Sequence, residues 1–467
     1  MIKQIRANDP LLDASASELS KLIFEKQVSP VELMERTLSR IDQLKEELNA
    51  FITIVSESAM EEAKQAENDI MAKNWLGPMH GLPFAVKDLT PTKGIRTTMG
   101  SRSFSENIPS EDSIPVARLK KSGAIVVGKT TTSEFGHKPF TEGPLFGRTL
   151  NPYDHTVTCG GSSGGSAVAV ASRQLALALG SDGGGSIRIP AACCGLVGLK
   201  ATLGVVPNIH APDLFSANSY IGPMTRSVTD AKLVFDHISG FDRRDPYGQS
   251  TMDCQRQKYS SIQNLRVVWL PTVGNSEIDP ECLSAAEDSV KNLQEAGAII
   301  EKDELDFVGL EEAFLVILES SLLSRLKDDV ERCPGKFDPT LLKTLENGAQ
   351  WTASDLQNAS RDRSRCFAEV QRLLKNYDLI ISPTLAAPPL RVDHDPHGEV
   401  QINGRSAGRI RGAWYPYTFP FNLTGHPALT FPNGQTETGL PLGVQLVGPW
   451  YSENLLLDVA NRLCCEA

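Results

Sequence analysis

Nowhere does this chain of 467 residues hold an unbroken apolar run long enough for a membrane-spanning helix, which needs roughly 18–20 residues. The opening stretch Met1–Asp9 also lacks the apolar centre of a secretory leader, so a cytoplasmic protein is expected. Nine cysteines are present, an odd number, with adjacent pairs at Cys193-Cys194 and Cys464-Cys465 and no C-x-x-C spacing. That pattern suits free thiols in a reducing compartment, and neither a disulfide framework nor a metal site is expected. Positive charge is in deficit: 46 Lys and Arg face 57 Asp and Glu, leaving a net charge of −11 spread along the chain. An acidic surface does not suit a nucleic-acid backbone as the main partner. Internal repeats and low-complexity linkers are missing as well.

What remains is the composition of a large globular enzyme, with 40% hydrophobic and 22% charged residues. Residues 1–70 read as helices: Ser15-x-x-Glu18 and Ser29-x-x-Glu32 have the capping-box spacing, and Pro30 sits where a first helical turn favours it. From Gly81 the pattern changes to short apolar runs punctuated by glycine. Residues 116–127 read as a helix stopped by Gly123 and followed by a strand. Leu265–Leu270, a helix ending at Gly297, and Ala298–Ile300 read as a βαβ unit. Further strands are expected at 175–179, 379–381 and 444–447, with a last helix from about Ser452. The alternation predicts an α/β fold, a large mixed β-sheet covered by helices on both faces. One domain over 1–467 is expected, with the charge-rich, glycine-poor stretch 241–375 as an inserted, mainly helical cap.

Three elements carry chemistry. Lys87 closes the apolar run Phe84-Ala85-Val86-Lys87. A lysine acts as a base only when neutral, so burial must lower its pKa from about 10.4 to roughly 7–8, at about 3–5 kcal/mol. A lysine beside an apolar run can equally reach out to water. The loop Gly160-Gly161-Ser162-Ser163-Gly164-Gly165-Ser166 fits the nucleophile elbow G-x-S-x-G at both serines. That reading needs a downstream histidine, for which His394, in a polar loop, or His426, in a turn, can be nominated. A phosphate loop is not indicated, because no Lys-Ser or Lys-Thr follows the glycines. Ser186 follows Gly183-Gly184-Gly185, whose backbone amides can converge on an oxyanion, each such donor contributing about 3–4 kcal/mol to a transition state. A glycine-rich turn capped by serine is the plain alternative.

Taken together, Gly81-Leu82-Pro83-Phe84-Ala85-Val86-Lys87-Asp88, the loop 160–166 and Gly184-Gly185-Ser186-Ile187-Arg188-Ile189-Pro190-Ala191 resemble the amidase signature family. The resemblance runs on through Gly195–Lys200, Gly222–Arg226, Asn422–Ala428 and Gly439–Gln445, and is weak only over 241–375. It implies a Ser–Ser–Lys triad: Ser186 as nucleophile, Ser162 on a cis peptide as proton relay, and Lys87 as base. Gly183, Gly184 and Gly185 would form the oxyanion hole, and Ser163 would hold Lys87 or Ser162 in place. Asp182 and Arg188 are expected as opposite-charge partners, with a substrate carboxylate as the other possible ligand of Arg188. No cofactor or metal is called for. The implied activity is hydrolysis of a small-molecule carboxamide through an acyl-enzyme, in a protein that acts alone or as a homodimer. The alternative is the glutaminase (A-type) subunit of a tRNA-dependent amidotransferase. Gly183, where many members carry threonine, resembles the stand-alone amidases. The walls of the substrate site are expected around Phe140, Leu145 and Trp414.

Overall fold

A computed structural model describes residues 5–215, 218–248, 262–307 and 309–465. Eleven strands form one mixed sheet. From edge to edge they run Phe51–Ile54, Ile125–Thr130, Pro83–Lys87, Leu177–Asp182, Tyr220–Thr225, Val197–Lys200, Ala428–Gln435, Pro441–Val447, Leu379–Pro383, Arg266–Trp269 and Ile299–Lys302. Pro83–Lys87 lies parallel to both neighbours, whereas Leu177–Asp182 and Tyr220–Thr225 are antiparallel.

Alternation along Pro83–Lys87 decides where the lysine goes. Every residue of the strand is buried, as expected for a strand covered on both faces. Phe84 and Val86 enter the apolar core on one side of the sheet, and Ala85 enters the core on the other. Period-two alternation therefore sends Lys87 to the Ala85 side. Helix Gly164–Ala171 packs its alanines and valines into that same core, so the helix places the serine loop at its own N-terminus beside the strand end.

The predicted βαβ unit forms as read: Arg266–Trp269 and Ile299–Lys302 are parallel neighbours joined by helix Pro280–Glu295. These strands extend the sheet, while helices Leu310–Arg332, Pro339–Gly348 and Ala353–Leu374 pack together beyond it. The N-terminal segment departs from an all-helical reading. Asn49 adopts a left-handed conformation (φ 51°) that stops helix Pro30–Leu48, and Phe51–Ile54 joins the sheet edge antiparallel to Ile125–Thr130. Only that distant partner makes so short a segment a strand. Ser15 and Glu18 form a full capping box. Ser29 accepts from the amides of Val31 and Glu32, while the Glu32 carboxylate lies 3.7 Å from Arg36.

Candidate active site

Lys87 is fully buried at the end of its strand. Its Nζ donates to Ser162 Oγ at 2.7 Å and to the Ser181 carbonyl at 3.1 Å. Burial pushes the ammonium pKa down to about 7, and the charge of Asp182 restrains the fall. The amine is thus poised between its two forms near neutrality.

Ser162 follows a cis peptide bond from Gly161. The loop is fitted closely: a β-carbon on Gly161 would lie 2.8 Å from the Phe140 nitrogen. Thr141 Oγ1 ties the loop together, donating to the Gly160 carbonyl and accepting from the Gly164 amide, both at 3.0 Å. Across from it, Gly136 has φ 74° and lies so near that a methyl group there would be 3.2 Å from Ser162 Oγ. Ser163 turns to the strand end instead. Its hydroxyl donates to the Ser181 carbonyl (3.0 Å) and accepts from the Ser181 amide (3.2 Å), while its own amide donates to the Ser186 carbonyl (3.2 Å). Lys87 and Ser163 therefore share one acceptor, and Ser163 joins the two glycine clusters.

The second cluster is organised by Asp182. This buried carboxylate accepts from the amides of Gly185 (2.6 Å) and Ile187 (3.2 Å), from Asn422 Nδ2 (2.8 Å), and from both sides of the Arg188 guanidinium (3.0 and 3.1 Å). Burial alone would raise its pKa, but the charge and hydrogen bonds of Arg188 and the Asn422 amide outweigh it and hold the carboxyl below the usual range. Two expectations change here. The Gly185 amide is committed to Asp182, so it is not available to an oxyanion. Arg188 is fully buried and spends its remaining donors on Thr418 O, Gln445 Oε1 and Asn422 Oδ1, which leaves none for a substrate carboxylate. Between Ser181 and Pro190 only Gly183, Gly184 and Ser186 are half-exposed, so this is the face that the loop presents outward.

The histidine alternatives lie elsewhere. His426 is buried, hydrogen-bonded to Thr424 and Gln371, and burial pushes its pKa down to about 3. His394 stacks on Phe140. Neither hydrogen-bonds to a serine of either cluster. Phe140 and Trp414 are themselves buried and stacked on each other, so they support the loop from behind rather than line an open wall. The residues that sequence reading missed are Thr418, Asn422, Gln445, Gly136 and Phe314. Asn422 and Gln445 stood inside the resembling segments, but nothing local shows that they converge on Arg188. Among the described residues, no group of three or more His, Cys, Asp or Glu is arranged to hold a metal ion, and no helix is long and apolar enough to cross a membrane.

A mixed α/β sheet with a buried lysine hydrogen-bonded to a loop serine, beside a glycine-rich serine turn, describes a class of serine–lysine hydrolases. A family model described as Amidase matches residues 32–457. The chain is 33% identical to the acylamidase of Rhodococcus erythropolis over 452 residues, covering 96% of this chain and 94% of that protein. It is also 31% identical to the A-type subunit of the glutamyl-tRNA(Gln) amidotransferase of Lachnospira eligens over 480 residues, covering 96% and 97%. Among solved structures, a bacterial aryl acylamidase of the amidase signature family superposes with a TM-score of 0.89 at 26% identity, covering 97% of this chain and 96% of that one. The chain belongs to the amidase signature family. It is a hydrolase that acts on the carbon–nitrogen bonds of amides.

Proposed function

We propose that this protein is a stand-alone amidase in which Ser186 is the nucleophile, Ser162 the proton relay and Lys87 the base. The observation that carries the reading is the 2.7 Å contact between the buried Lys87 amine and Ser162 Oγ. A neutral Nζ takes the proton of Ser162, which takes that of Ser186 as Ser186 Oγ attacks the amide carbonyl. The oxyanion is received by the amides of Gly183 and Gly184, each such donor contributing about 3–4 kcal/mol in comparable sites. The relay then returns its proton to the departing nitrogen, and water releases the carboxylate from Ser186. Ser163, Asp182 and Arg188 are positioning residues that hold the two clusters in register. The chain functions as one amidase domain without a nucleic-acid partner. The cap is narrower than 241–375, because Arg266–Trp269 and Ile299–Lys302 belong to the central sheet, and it consists of helices Leu310–Arg332, Pro339–Gly348 and Ala353–Leu374.

Gly183 favours this reading over the amidotransferase component, since threonine is the residue that many family members carry there. The chain is purified alone and assayed on simple carboxamides. Turnover that Ser186→Ala abolishes, with an acyl adduct on the Ser186 peptide by mass spectrometry, supports the proposal. Inactivity of the lone chain, restored only by amidotransferase partner subunits, would overturn it.

A further inference from the structure

The register of one strand pair places a cavity against the nucleophile turn. Asp182 stands opposite Tyr220 in the last pair of the antiparallel ladder, so Ser219 and Asn218 lead into the strand where the nucleophile turn leaves it. Asn422 Nδ2 donates to both the Asp182 and Asn218 carbonyls (2.9 and 3.5 Å). Ser219 and Asn218 both line a cavity of about 760 Å3. A second, independent connection comes from the cap. Phe314 of helix Leu310–Arg332 lies against Gly184, and Ile317 and Leu318, one turn further along, line the same cavity. A space of this size takes a drug-sized ligand, far more than acetamide or the side chain of glutamine fills. Its wall combines Leu318 and the ring of Trp351 with the hydroxyl-bearing positions Ser321 and Ser360, and charged side chains including Arg325, Lys327, Asp328 and Arg363 complete it. The indole N–H of Trp351 is already bonded to Glu319 (2.7 Å), so the tryptophan offers its ring to a ligand rather than a donor.

The surroundings of the two serines decide which half of an amide goes there. The departing nitrogen must face Ser162 to be protonated. Ser162 is 1% exposed and walled by Gly136, where even a methyl group would stand 3.2 Å from Oγ. On the other side a methyl group on Gly183 would meet nothing within 4 Å. The confined side suits a small leaving amine and the open side suits the acyl group. We propose that the 760 Å3 cavity is the acyl site, and that the substrates are amides of ammonia or a small amine with a medium-sized acyl group bearing an aromatic or branched apolar body. This rests on the triad proposed above.

The test is two substrate series. Primary amides run from acetamide through hexanamide to 3-phenylpropanamide, and N-substituted acetamides run from N-methyl to N-phenethyl. In the first, kcat/KM should climb roughly fourfold per buried methylene, and in the second it should not rise. In Ser321→Trp, where an indole fills the cavity, the climb should flatten by at least tenfold at 3-phenylpropanamide relative to acetamide. If that variant does not fold, Ser360→Trp, at an exposed position on the same wall, gives the same comparison. A primary-amide series that is flat, or as steep in the folded variant as in wild type, overturns the assignment. So does a climb confined to the N-substituted series. Absence of turnover on every amide would instead count against the triad, which separates the two failures.

Discussion

Phe314 presses on Gly184 so closely that a methyl group added to the glycine would lie 2.7 Å from the Phe314 Cζ. The cap helix thus packs against a glycine whose amide is proposed for the oxyanion. Gly184→Ala must displace either the ring or the turn, and overpacking of this kind costs about 1–3 kcal/mol. We expect kcat/KM to fall by at least tenfold in Gly184→Ala. Gly183→Ala, whose methyl group meets open space, should lose no more than a few-fold. Steady-state kinetics of the two variants side by side checks the difference.

The pH profile of kcat/KM should report Lys87. Its pKa is lowered to about 7, so the neutral base accumulates as pH rises through that value. The rate should rise about tenfold per pH unit below it and level off above, and a rate independent of pH from about 5 to 9 would count against a lysine base. Lys87→Met should lose roughly 10²–10⁴-fold and the rising limb with it. Stability carries the same signature. Between about 7 and the ordinary lysine value of 10.5, the unfolded chain binds the proton that the folded protein refuses. Stability therefore rises with pH across this window, and denaturant melts should show a shallower rise in Lys87→Met.

Removing the guanidinium partner of Asp182 leaves an uncompensated buried charge. Arg188→Met is expected to cost about 3–5 kcal/mol of stability. Arg188→Lys should not restore it, because a single ammonium cannot serve Asp182, Thr418, Asn422 and Gln445 together. Thermal melts of the two variants decide the point. A loss below about 1 kcal/mol in Arg188→Met, the scale of an exposed pair, would show that the network is not held as described.

Glu134 gives a stability effect of opposite sign. Burial raises its carboxyl to about 6, even though one oxygen accepts from the Asp338 amide at 2.6 Å. A raised acid contributes stability below its ordinary range and loses that contribution as pH climbs through about 6. Glu134→Gln keeps an acceptor for Asp338 and removes the charge. It should match wild type near pH 4 and exceed it by about 1–2 kcal/mol at pH 8, read from melts at the two values.

Much of the site was legible because its chemistry is local. A glycine-rich loop, a serine turn and a lysine in an apolar run are each written in fewer than ten consecutive residues, and the strand after Leu82 declares itself by apolar residues on both faces. What stayed hidden depends on partners far along the chain. Thr418, Asn422 and Gln445 meet Arg188 across 230, 234 and 257 residues. The Gly185 amide looked like an oxyanion donor until Asp182 folded back on it, and no local pattern separates a free amide from a committed one. Phe51–Ile54 was concealed for the same reason, since its identity as a strand comes from Ile125–Thr130.

The Ser181 carbonyl, shared by Lys87 and Ser163, sits in a strand flanked on both sides within the sheet. Base and serine loop are thus fastened to the part of the molecule that opens last, not to a lid or a fraying end. The Ser181 amide should be among the slowest to exchange with deuterium. On heating, activity and global structure should be lost in a single transition, so the enzyme works unimpaired until it unfolds as a whole.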